Sequence, residues 1–167
     1  MSRPRFDPYT EVLHRFNQKG VRYVVIGVSG INYCAKDPSK SFSTQDYDLF
    51  LDNTLENLKK AVGVLSRLGF HLATKKGSFK LDHLKEIVQR QETVIATNPQ
   101  GVQIELLLRV SGYVFRELDK DAKIFLADEV PIRVGRLQKL LRSKKIAGRE
   151  KDRLFLKRYQ IDLKEKE

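Results

Sequence analysis

Apolar residues recur along the chain at two intervals, every three to four positions in some segments and every second position in others. The first interval is typical of helices with one buried face, and the second of strands with one buried face. Gly20, Gly69 and Gly135 interrupt these segments and mark predicted ends. The pattern predicts helices over residues 8–19, 29–35, 54–68, 82–89, 136–144 and 147–163, and strands over residues 21–26, 45–51, 70–73, 93–97, 102–108, 122–126 and 130–134.

Turn-forming residues separate these segments. Residues 98–101, Asn-Pro-Gln-Gly, lie between two apolar runs and predict a β-hairpin. Residues 37–41 predict an exposed loop, and residues 75–78 predict a basic one. Residues 145–146 are almost all that separates the last two predicted helices.

This order of elements predicts a mixed α/β or α+β fold, in which a β-sheet is flanked by helices and followed by a helical tail. The 167 residues have the length of one domain. We expect an α/β core over residues 1–134 and basic helices over residues 135–167 packed on that core.

The chain is strongly basic. Its 32 Lys and Arg residues exceed its 21 Asp and Glu residues, for a formal net charge of +11 at pH 7. Eleven basic residues and only two acidic ones lie between Arg133 and Arg158. Such a field attracts polyanions, including nucleic acids and nucleoside triphosphates. Many small basic proteins bind no nucleic acid, so charge alone leaves both interpretations open.

Composition excludes several classes of protein. A hydrophobic fraction of 41% is enough to build a packed core. No apolar run reaches the roughly 18 residues that a membrane helix needs, and the first residues do not resemble a secretory signal. The single cysteine, Cys34, rules out an intramolecular disulfide framework and a Cys-rich zinc site. We expect a cytoplasmic protein without membrane contact.

Two aspartates in the predicted strand 45–51 are the first candidates for chemistry. Because side chains alternate along a strand, Asp46 and Asp48 share one face, opposite Tyr47 and Leu49. Two neighbouring carboxylates repel each other unless a cation lies between them, and hard oxygen ligands suit magnesium. A solvated edge strand with a polar outer face explains the same pair without a metal.

Glu105 is a third acid, within the apolar run 102–108. An ionised Glu among aliphatic residues is costly to bury without a partner. If its strand lies beside the strand of Asp46 and Asp48, a cluster of three carboxylates results. Otherwise Glu105 lies at the sheet surface or pairs with Arg109.

The residues Gly27-Val28-Ser29-Gly30 directly follow a predicted strand and precede a short predicted helix. Backbone amides at a helix N-terminus, with small residues that allow close approach, form a site for phosphate. The sequence is neither a dinucleotide-binding fingerprint nor a Walker loop.

Together these motifs resemble the polymerase-β-type nucleotidyltransferase superfamily, from about residue 12 to residue 160. The tail is similar to a Ser-Lys…Arg-x-Lys-Asp segment of small bacterial members, including abortive-infection toxin nucleotidyltransferases. Val28 departs from the Gly-Gly or Gly-Ser turn of the family, and Phe42 and Gln45 depart from its usual residues. The matching segments are Val25-Ile26-Gly27-Val28-Ser29, Thr44-Gln45-Asp46-Tyr47-Asp48-Leu49, Ile104-Glu105-Leu106 and residues 143–152.

The resemblance implies a magnesium-dependent transfer of a nucleoside monophosphate from a triphosphate to an acceptor hydroxyl, with release of pyrophosphate. It implies two metal ions, Mg²⁺ or alternatively Mn²⁺, on the catalytic residues Asp46, Asp48 and Glu105. An RNA, a protein or a small molecule is the implied acceptor, and an antitoxin protein a candidate partner. The implied nucleotide-binding residues are Gly27, Ser29, Thr44, Lys144 and Lys151.

Two other interpretations stay open. A catalytically inactive module of the same fold, binding nucleic acid or a partner protein, is favoured by Val28 and opposed by the complete acidic triad. A basic RNA-binding domain of unrelated fold requires the three carboxylates to lie on separate surfaces. The scattered residues His14, His71 and His83 are more typical of structural than of metal-binding histidines.

Overall fold

The computed structural model describes residues 6–35 and 46–162. The helices are α1 (Pro8–Lys19), α2 (Gly27–Cys34), α3 (Leu55–Arg67), α4 (Leu84–Arg90), α5 (Phe115–Asp119), α6 (Leu137–Ala147) and α7 (Glu150–Asp162), with a 3₁₀ turn at Leu81–His83. The strands are β1 (Tyr23–Ile26), β2 (Tyr47–Leu51), β3 (His71–Thr74), β4 (Gly77–Ser78), β5 (Val94–Thr97), β6 (Gln103–Leu107), β7 (Lys123–Ala127) and β8 (Val130–Val134). The α+β fold class expected from the sequence is confirmed.

The described strands form one eight-stranded mixed sheet in the order β4-β3-β5-β6-β2-β1-β8-β7. At its centre β2 runs antiparallel to β1 and parallel to β6. The predicted hairpin of β5 and β6 is confirmed as an antiparallel pair. Strand β2 therefore lies between the strand that leads into α2 and the strand that carries Glu105.

The two faces of the sheet are covered by different helices. Tyr47, on one face of β2, stacks on Tyr9 of α1 with 4.5 Å between ring centroids. Phe50, on the opposite face, makes an edge contact with Phe115 of α5, at 5.6 Å between centroids. Since Asp48 and Phe50 are two positions apart, they share the face that carries α5.

Helix α6 is fixed to the same side of the molecule by its buried Leu140. A Cβ built at Gly30 would lie 2.9 Å from Leu140 Cδ1, and one built at Gly135 would lie 2.8 Å from Leu140 Cδ2. Both glycines thus leave room for the Leu140 side chain, whose full burial stabilises the fold by about 1.5–3 kcal/mol. No helix among the described residues has the length and apolarity needed to cross a membrane.

Local capping explains why several predicted ends are right. The carboxylate of Asp7 accepts a hydrogen bond from Thr10 N at 2.9 Å, and Thr54 Oγ1 accepts one from Asn57 N at 3.1 Å, so both residues cap helices. Gly20, with φ of 70°, ends α1 in the left-handed conformation.

Three predicted features differ in the structure. The basic segment 75–78 is the end of a hairpin, since Gly77 and Ser78 pair with β3. Helix α5 was not predicted, because five residues are too few for a periodic signal; the Glu117 side chain accepts a hydrogen bond from Val114 N at its start. The last two helices separate at Gly148, whose φ is 59°, and residues 145–146 continue α6.

Smaller differences concern element ends. The helix expected at 29–35 begins two residues earlier, at Gly27, and the strand expected at 45–51 begins at Tyr47. The predicted loop 37–41, together with Phe42, Thr44 and Gln45, lies outside the described residues.

Candidate functional site

The sheet brings the three predicted acids together. In the parallel pairing of β2 and β6, Asp48 is directly opposite Glu105. Asp46 lies two residues before Asp48 and accepts a hydrogen bond at Oδ1 from Gln103 Nε2, at 3.0 Å. Because residues two apart on a strand share a face, Asp46, Asp48, Gln103 and Glu105 face the same side. The interpretation as a basic RNA-binding domain of unrelated fold requires the three carboxylates to lie on separate surfaces, and this requirement is wrong.

The proximity of these acids changes their acidity. Burial, followed by the charges of Glu105 and Asp46, raises the pKa of Asp48 to about 7. Burial and the charge of Asp46 also raise the pKa of Glu105. Among the described residues no ion pair joins Glu105 to Arg109. The repulsion between the acids is therefore not relieved by the partner that the sequence offered as an alternative.

One oxygen of Asp48 is left without a partner. Asp48 Oδ1 is buried and has no hydrogen-bond donor among the described residues. An unsatisfied buried oxygen typically costs about 1–3 kcal/mol, and more when it is charged. Strain of this kind is tolerated where function requires it, and a cation at the oxygen would remove it.

Gly27 and Ser29 fix the position of Asp48. Gly27 has φ of +66°, and a Cβ built on it would overlap Asp48 Oδ2, so any side chain there would displace the carboxylate. Ser29 Oγ donates to the carbonyl of Ile26 at 3.0 Å and accepts from Asp48 N at 3.3 Å. The Ser29 hydroxyl thus joins the turn to β2.

A cleft of about 300 Å³ opens over Asp48. Gly27 and Asp48 line one side of the cleft. Residues of α6 and Arg149, which follows Gly148 at the end of that helix, line another. Cationic side chains from separate segments line this cleft together with Asp48, so an anion entering it would lie between those cations and the Asp48 carboxylate. The residues that contribute hydroxyl, ammonium or guanidinium groups to its lining are Arg109, Ser111, Ser143, Lys144 and Arg149.

Both predicted lysines bear on the acidic cluster. Lys144 has a side chain only 15% exposed, and its Nζ lies 5.0 Å from the centroid of the Phe155 ring. Lys151 is exposed on α7. The charges of Lys144 and Lys151 lower the pKa of Asp48 in opposition to burial, and Lys151 does the same for Glu105.

Asp152 is a residue whose role the sequence did not reveal. It is fully buried, and it accepts hydrogen bonds from Arg149 Nε at 2.7 Å, from Arg149 N at 3.3 Å and from Lys144 Nζ at 3.4 Å. Burial by itself raises the pKa of Asp152, but the Arg149 hydrogen bond and the Lys144 charge outweigh it and hold that pKa below its ordinary value. Asp152 therefore fixes two cations of the cleft wall.

The arrangement of the acids includes one observation against a ready metal site and one in favour of cation binding. Within residues 6–35 and 46–162, no group of three or more His, Cys, Asp or Glu side chains has its donor atoms arranged to hold a metal. The predicted convergence of three carboxylates into a ready ligand set is therefore not found; one oxygen of Asp46 is bonded to Gln103. The unpartnered Asp48 oxygen and the all-carboxylate donor set nevertheless suit a hard divalent cation.

The three histidines have separate local contacts. His71 Nε2 bonds to Ser78 Oγ at 3.0 Å, His83 Nδ1 accepts from Lys80 N at 3.2 Å, and the ring of His14 lies 5.2 Å from that of Phe6. None of the three histidines lines the cleft over Asp48.

Comparisons with known proteins add no assignment: no protein-family model matches the chain, and no curated protein matches it. The inference about function therefore depends on the motifs and on the geometry of the cleft.

Proposed function

We propose that this protein is a magnesium-dependent nucleotidyltransferase that moves a nucleoside monophosphate from a triphosphate to an acceptor hydroxyl. The observation that carries the proposal is the Asp48 carboxylate. It lies beside Glu105 and against Gly27 at the start of α2, it has one buried oxygen without a partner among the described residues, and it faces a cleft that Lys144 of α6 also lines. Acids that would bind a cation are thus next to groups that would bind phosphate.

In this proposal Asp46, Asp48 and Glu105 hold the divalent ion, Mg²⁺ or Mn²⁺. When bound, the ion would neutralise triphosphate charge and lower the pKa of the acceptor hydroxyl. Since the pKa of Asp48 is about 7 without a cation, this carboxyl gives up its remaining proton when a cation binds at neutral pH.

The phosphate-binding groups come from two elements. Backbone N–H groups in the first turn of α2, which begins at Gly27, bind the terminal phosphates. Lys144 and Arg149, fixed by Asp152, neutralise phosphate charge from the opposite wall, and Lys151 contributes from the rim. The proposed contact of Thr44 with the nucleotide depends on the resemblance alone, because Thr44 lies outside the described residues.

The transfer step exchanges one P–O bond for another and moves one proton. The acceptor oxygen attacks the α-phosphorus, and a new P–O bond forms while the bond from that phosphorus to the oxygen bridging to the β-phosphate breaks. Pyrophosphate leaves with the electron pair of the broken bond. Glu105, on the strand beside Asp48, receives the proton of the acceptor hydroxyl.

The proposed setting is the cytoplasm, with an RNA or protein acceptor and, for a toxin-like enzyme, a neutralising antitoxin protein. The direct test incubates the protein with each α-labelled nucleoside triphosphate, magnesium, and total cellular RNA or protein. We expect label transfer that is lost in Asp48→Asn and in Glu105→Gln. The matched control Asp82→Asn, at an exposed aspartate on the 3₁₀ turn, retains it.

The second candidate is a catalytically inactive module of the same fold that binds nucleic acid or a partner protein. It is favoured by Val28 in the turn and by the Ser29 hydroxyl, which is already bonded to Ile26 and Asp48. Absence of label transfer with every triphosphate and acceptor, together with magnesium-independent RNA binding, would replace the enzyme by this module.

A further inference from the structure

The sheet formed by the described strands ends in two edges of opposite character. One edge is β4, only the two residues Gly77 and Ser78, directly after Lys75 and Lys76. The other is β7, a strand of five residues that pairs with β8 on one side and with no other strand among the described residues. Short edges with lysines beside them disfavour pairing with another chain, whereas a regular apolar edge favours it.

Strand β7 exposes aliphatic side chains to solvent. Ile124 is 56% exposed and Leu126 is 75% exposed. Both lie on one face of the strand, and the exposed Pro131 is directly opposite Leu126 on β8. On the other face Phe125 is half-buried, with 6.1 Å between the centroids of its ring and that of Tyr33 on α2. The β7 edge therefore has one solvated apolar face and one face held by the core.

The turn of the β7–β8 hairpin determines which backbone groups of β7 point outwards. Residues 128–129 form a two-residue turn with φ of 48° and 67°, the signs that a type I′ turn requires. Ala127, which closes this turn, directs its N–H and C=O towards β8, and the direction alternates from there along the strand. The N–H and C=O groups of Ile124 and Leu126 therefore point away from β8. Pro131, which has no N–H, is opposite Leu126, as this alternation requires.

We infer that β7 pairs antiparallel with β7 of a second copy of this chain, about a twofold axis at Phe125. In this register Ile124 is opposite Leu126 of the second copy, so the outward N–H and C=O groups of each strand meet those of the other. The exposed aliphatic side chains become cross-strand neighbours. Because the contact is isologous and occupies the β7 edge of both copies, the assembly closes as a dimer.

The charges along β7 favour this partner and this direction. The strand begins with the exposed cation Lys123 and is followed by the exposed acids Asp128 and Glu129. Within residues 6–35 and 46–162 no ion pair engages any of these three side chains. In an antiparallel pair the start of one strand lies beside the end of the other, so Lys123 of each copy lies next to the acids of its partner. A parallel pair would place like charges together.

The twofold axis is perpendicular to the sheet, so the same face of both copies lies on the same side. The pairing of β7 with β8, of β8 with β1 and of β1 with β2 places Ile124 and Leu126 on the face that carries Asp48. The Asp48 carboxylates of the two copies therefore lie on the same side of one continuous sheet. The inference does not depend on the proposed function, because the edge is the same with or without transfer activity.

Sedimentation velocity of the full chain tests the dimer, in a reducing buffer that prevents a disulfide between Cys34 side chains. An interface of one strand pair is small, so we expect a reversible dimer with a Kd of about 10–100 µM. Leu126→Lys places a charge on the edge and should weaken the dimer at least tenfold. The matched control Leu154→Lys, at a leucine of α7 that is 61% exposed, should not. Neither substitution should change the Tm, because both leucines are exposed.

A charge exchange tests the direction of pairing. Lys123→Glu and Glu129→Lys each place like charges together in the dimer, so each variant alone should dimerise about tenfold more weakly. An equimolar mixture of the two variants restores opposite charges at both ends of the strand pair and should dimerise with about the wild-type affinity. Mixing would not rescue an effect of either substitution on the hairpin itself.

A cysteine at the axis tests the register. Residues of a non-hydrogen-bonded antiparallel pair have Cα atoms about 4.5 Å apart, within the range of a disulfide. Phe125→Cys in a Cys34→Ser background should therefore form a disulfide-linked dimer under mild oxidation. Leu154→Cys in the same background should not.

A dimer that Leu126→Lys weakens and that mixing of the two charge variants restores supports the inference. A wild-type chain that is monomeric at millimolar concentration overturns it and leaves the β7 edge to a different protein. A dimer indifferent to Leu126→Lys overturns it as well, and so does one that the mixture does not restore. Phe125→Cys cross-linking no faster than that of Leu154→Cys overturns the proposed register.

Discussion

Asp48 is half-buried and Asp152 fully buried on the same side of the molecule, and Lys144 acts on both carboxylates, yet their other neighbours differ in charge. Asp152 is fully buried and bonded to Arg149 and Lys144, and its pKa is lowered. Asp48 has acids for neighbours and one oxygen without a hydrogen-bond partner in the part of the chain that the structure describes, and its pKa is raised to about 7. Burial alone therefore does not decide the state of a carboxylate; the partners do.

The difference separates two functions of an acid in a fold. Asp152 contributes to the native structure, because its charge is compensated within the chain. Asp48 costs stability, and the fold tolerates this cost because Gly27, Ser29 and the pairing with β6 hold the carboxylate in position. Perturbed acids in a cleft are candidates for functional sites for this reason.

The largest expected effect is on activity, at Asp48. Asp48→Asn should lower the transfer rate by about a thousandfold or more, since a bound metal typically contributes several kcal/mol to the transition state. The same substitution should raise the Tm at pH 8 in the presence of a chelator, because it removes a buried charge beside Glu105 and Asp46. Transfer kinetics and calorimetry measure the two effects.

The control for this pair of effects is Asp82→Asn, which removes one exposed negative charge and should change neither quantity. If Asp48→Asn lowered both the Tm and the rate, Asp48 would be a structural residue like Asp152, and the contrast between the two acids would disappear.

Asp152→Asn should have the opposite effect on stability. Removing one partner of a buried ion pair typically costs 3–5 kcal/mol, and we expect about 3 kcal/mol, the low end, because Arg149 is 60% exposed and can be solvated. Urea unfolding at pH 7 measures this change. Glu150→Gln, at an exposed residue in the first turn of α7, provides the matched control.

The sequence predicts part of the acidic cluster around Asp48. The alternation at Asp46 and Asp48 predicts a shared face, and the hairpin turn at 98–101 predicts the strand of Glu105. The adjacency of β2 and β6 is not encoded locally, because 51 residues separate the end of one strand from the start of the other. Only the sheet order brings Asp48 opposite Glu105.

Side-chain hydrogen bonds were harder still to predict. The resemblance implies that Ser29 binds nucleotide, but it does not reveal that the buried hydroxyl bonds to the backbone of Ile26 and Asp48. Asp152 lies three residues after Arg149, the spacing at which an acid in the first turn of a helix reaches back to the residue before the helix. That spacing could have revealed the pair, but not that it lines the cleft.

Magnesium should stabilise the protein through Asp48. A ligand that binds only the native state at about thirty times its Kd adds about 2 kcal/mol to the free energy of unfolding. We expect a rise in Tm with Mg²⁺ or Mn²⁺ in the wild type and in Asp152→Asn, and none in Asp48→Asn. Sodium at matched ionic strength is the control. An equal rise in all three proteins would show a nonspecific salt effect and would count against a cation site at Asp48.

The smallest effect, taken per pH unit, is the dependence of stability on pH without metal. Between about pH 4 and pH 7 the native state retains the proton of Asp48 while the unfolded state has lost it, because the pKa is about 7 in one and near 3.8 in the other. Stability should therefore fall as the pH rises through this range, by at most about 1.4 kcal/mol per pH unit from this group. Asp152 acts in the opposite direction. Because its pKa is lowered, its contribution to the free energy of unfolding disappears only as the pH falls below the ordinary pKa of an aspartate.

Urea unfolding from pH 3 to pH 8 measures these effects. The difference in the free energy of unfolding between Asp48→Asn and wild type should grow from pH 4 to pH 7 and be constant above. A difference independent of pH would mean that the pKa of Asp48 is the same in the native and unfolded states, so that burial and its neighbours do not raise it.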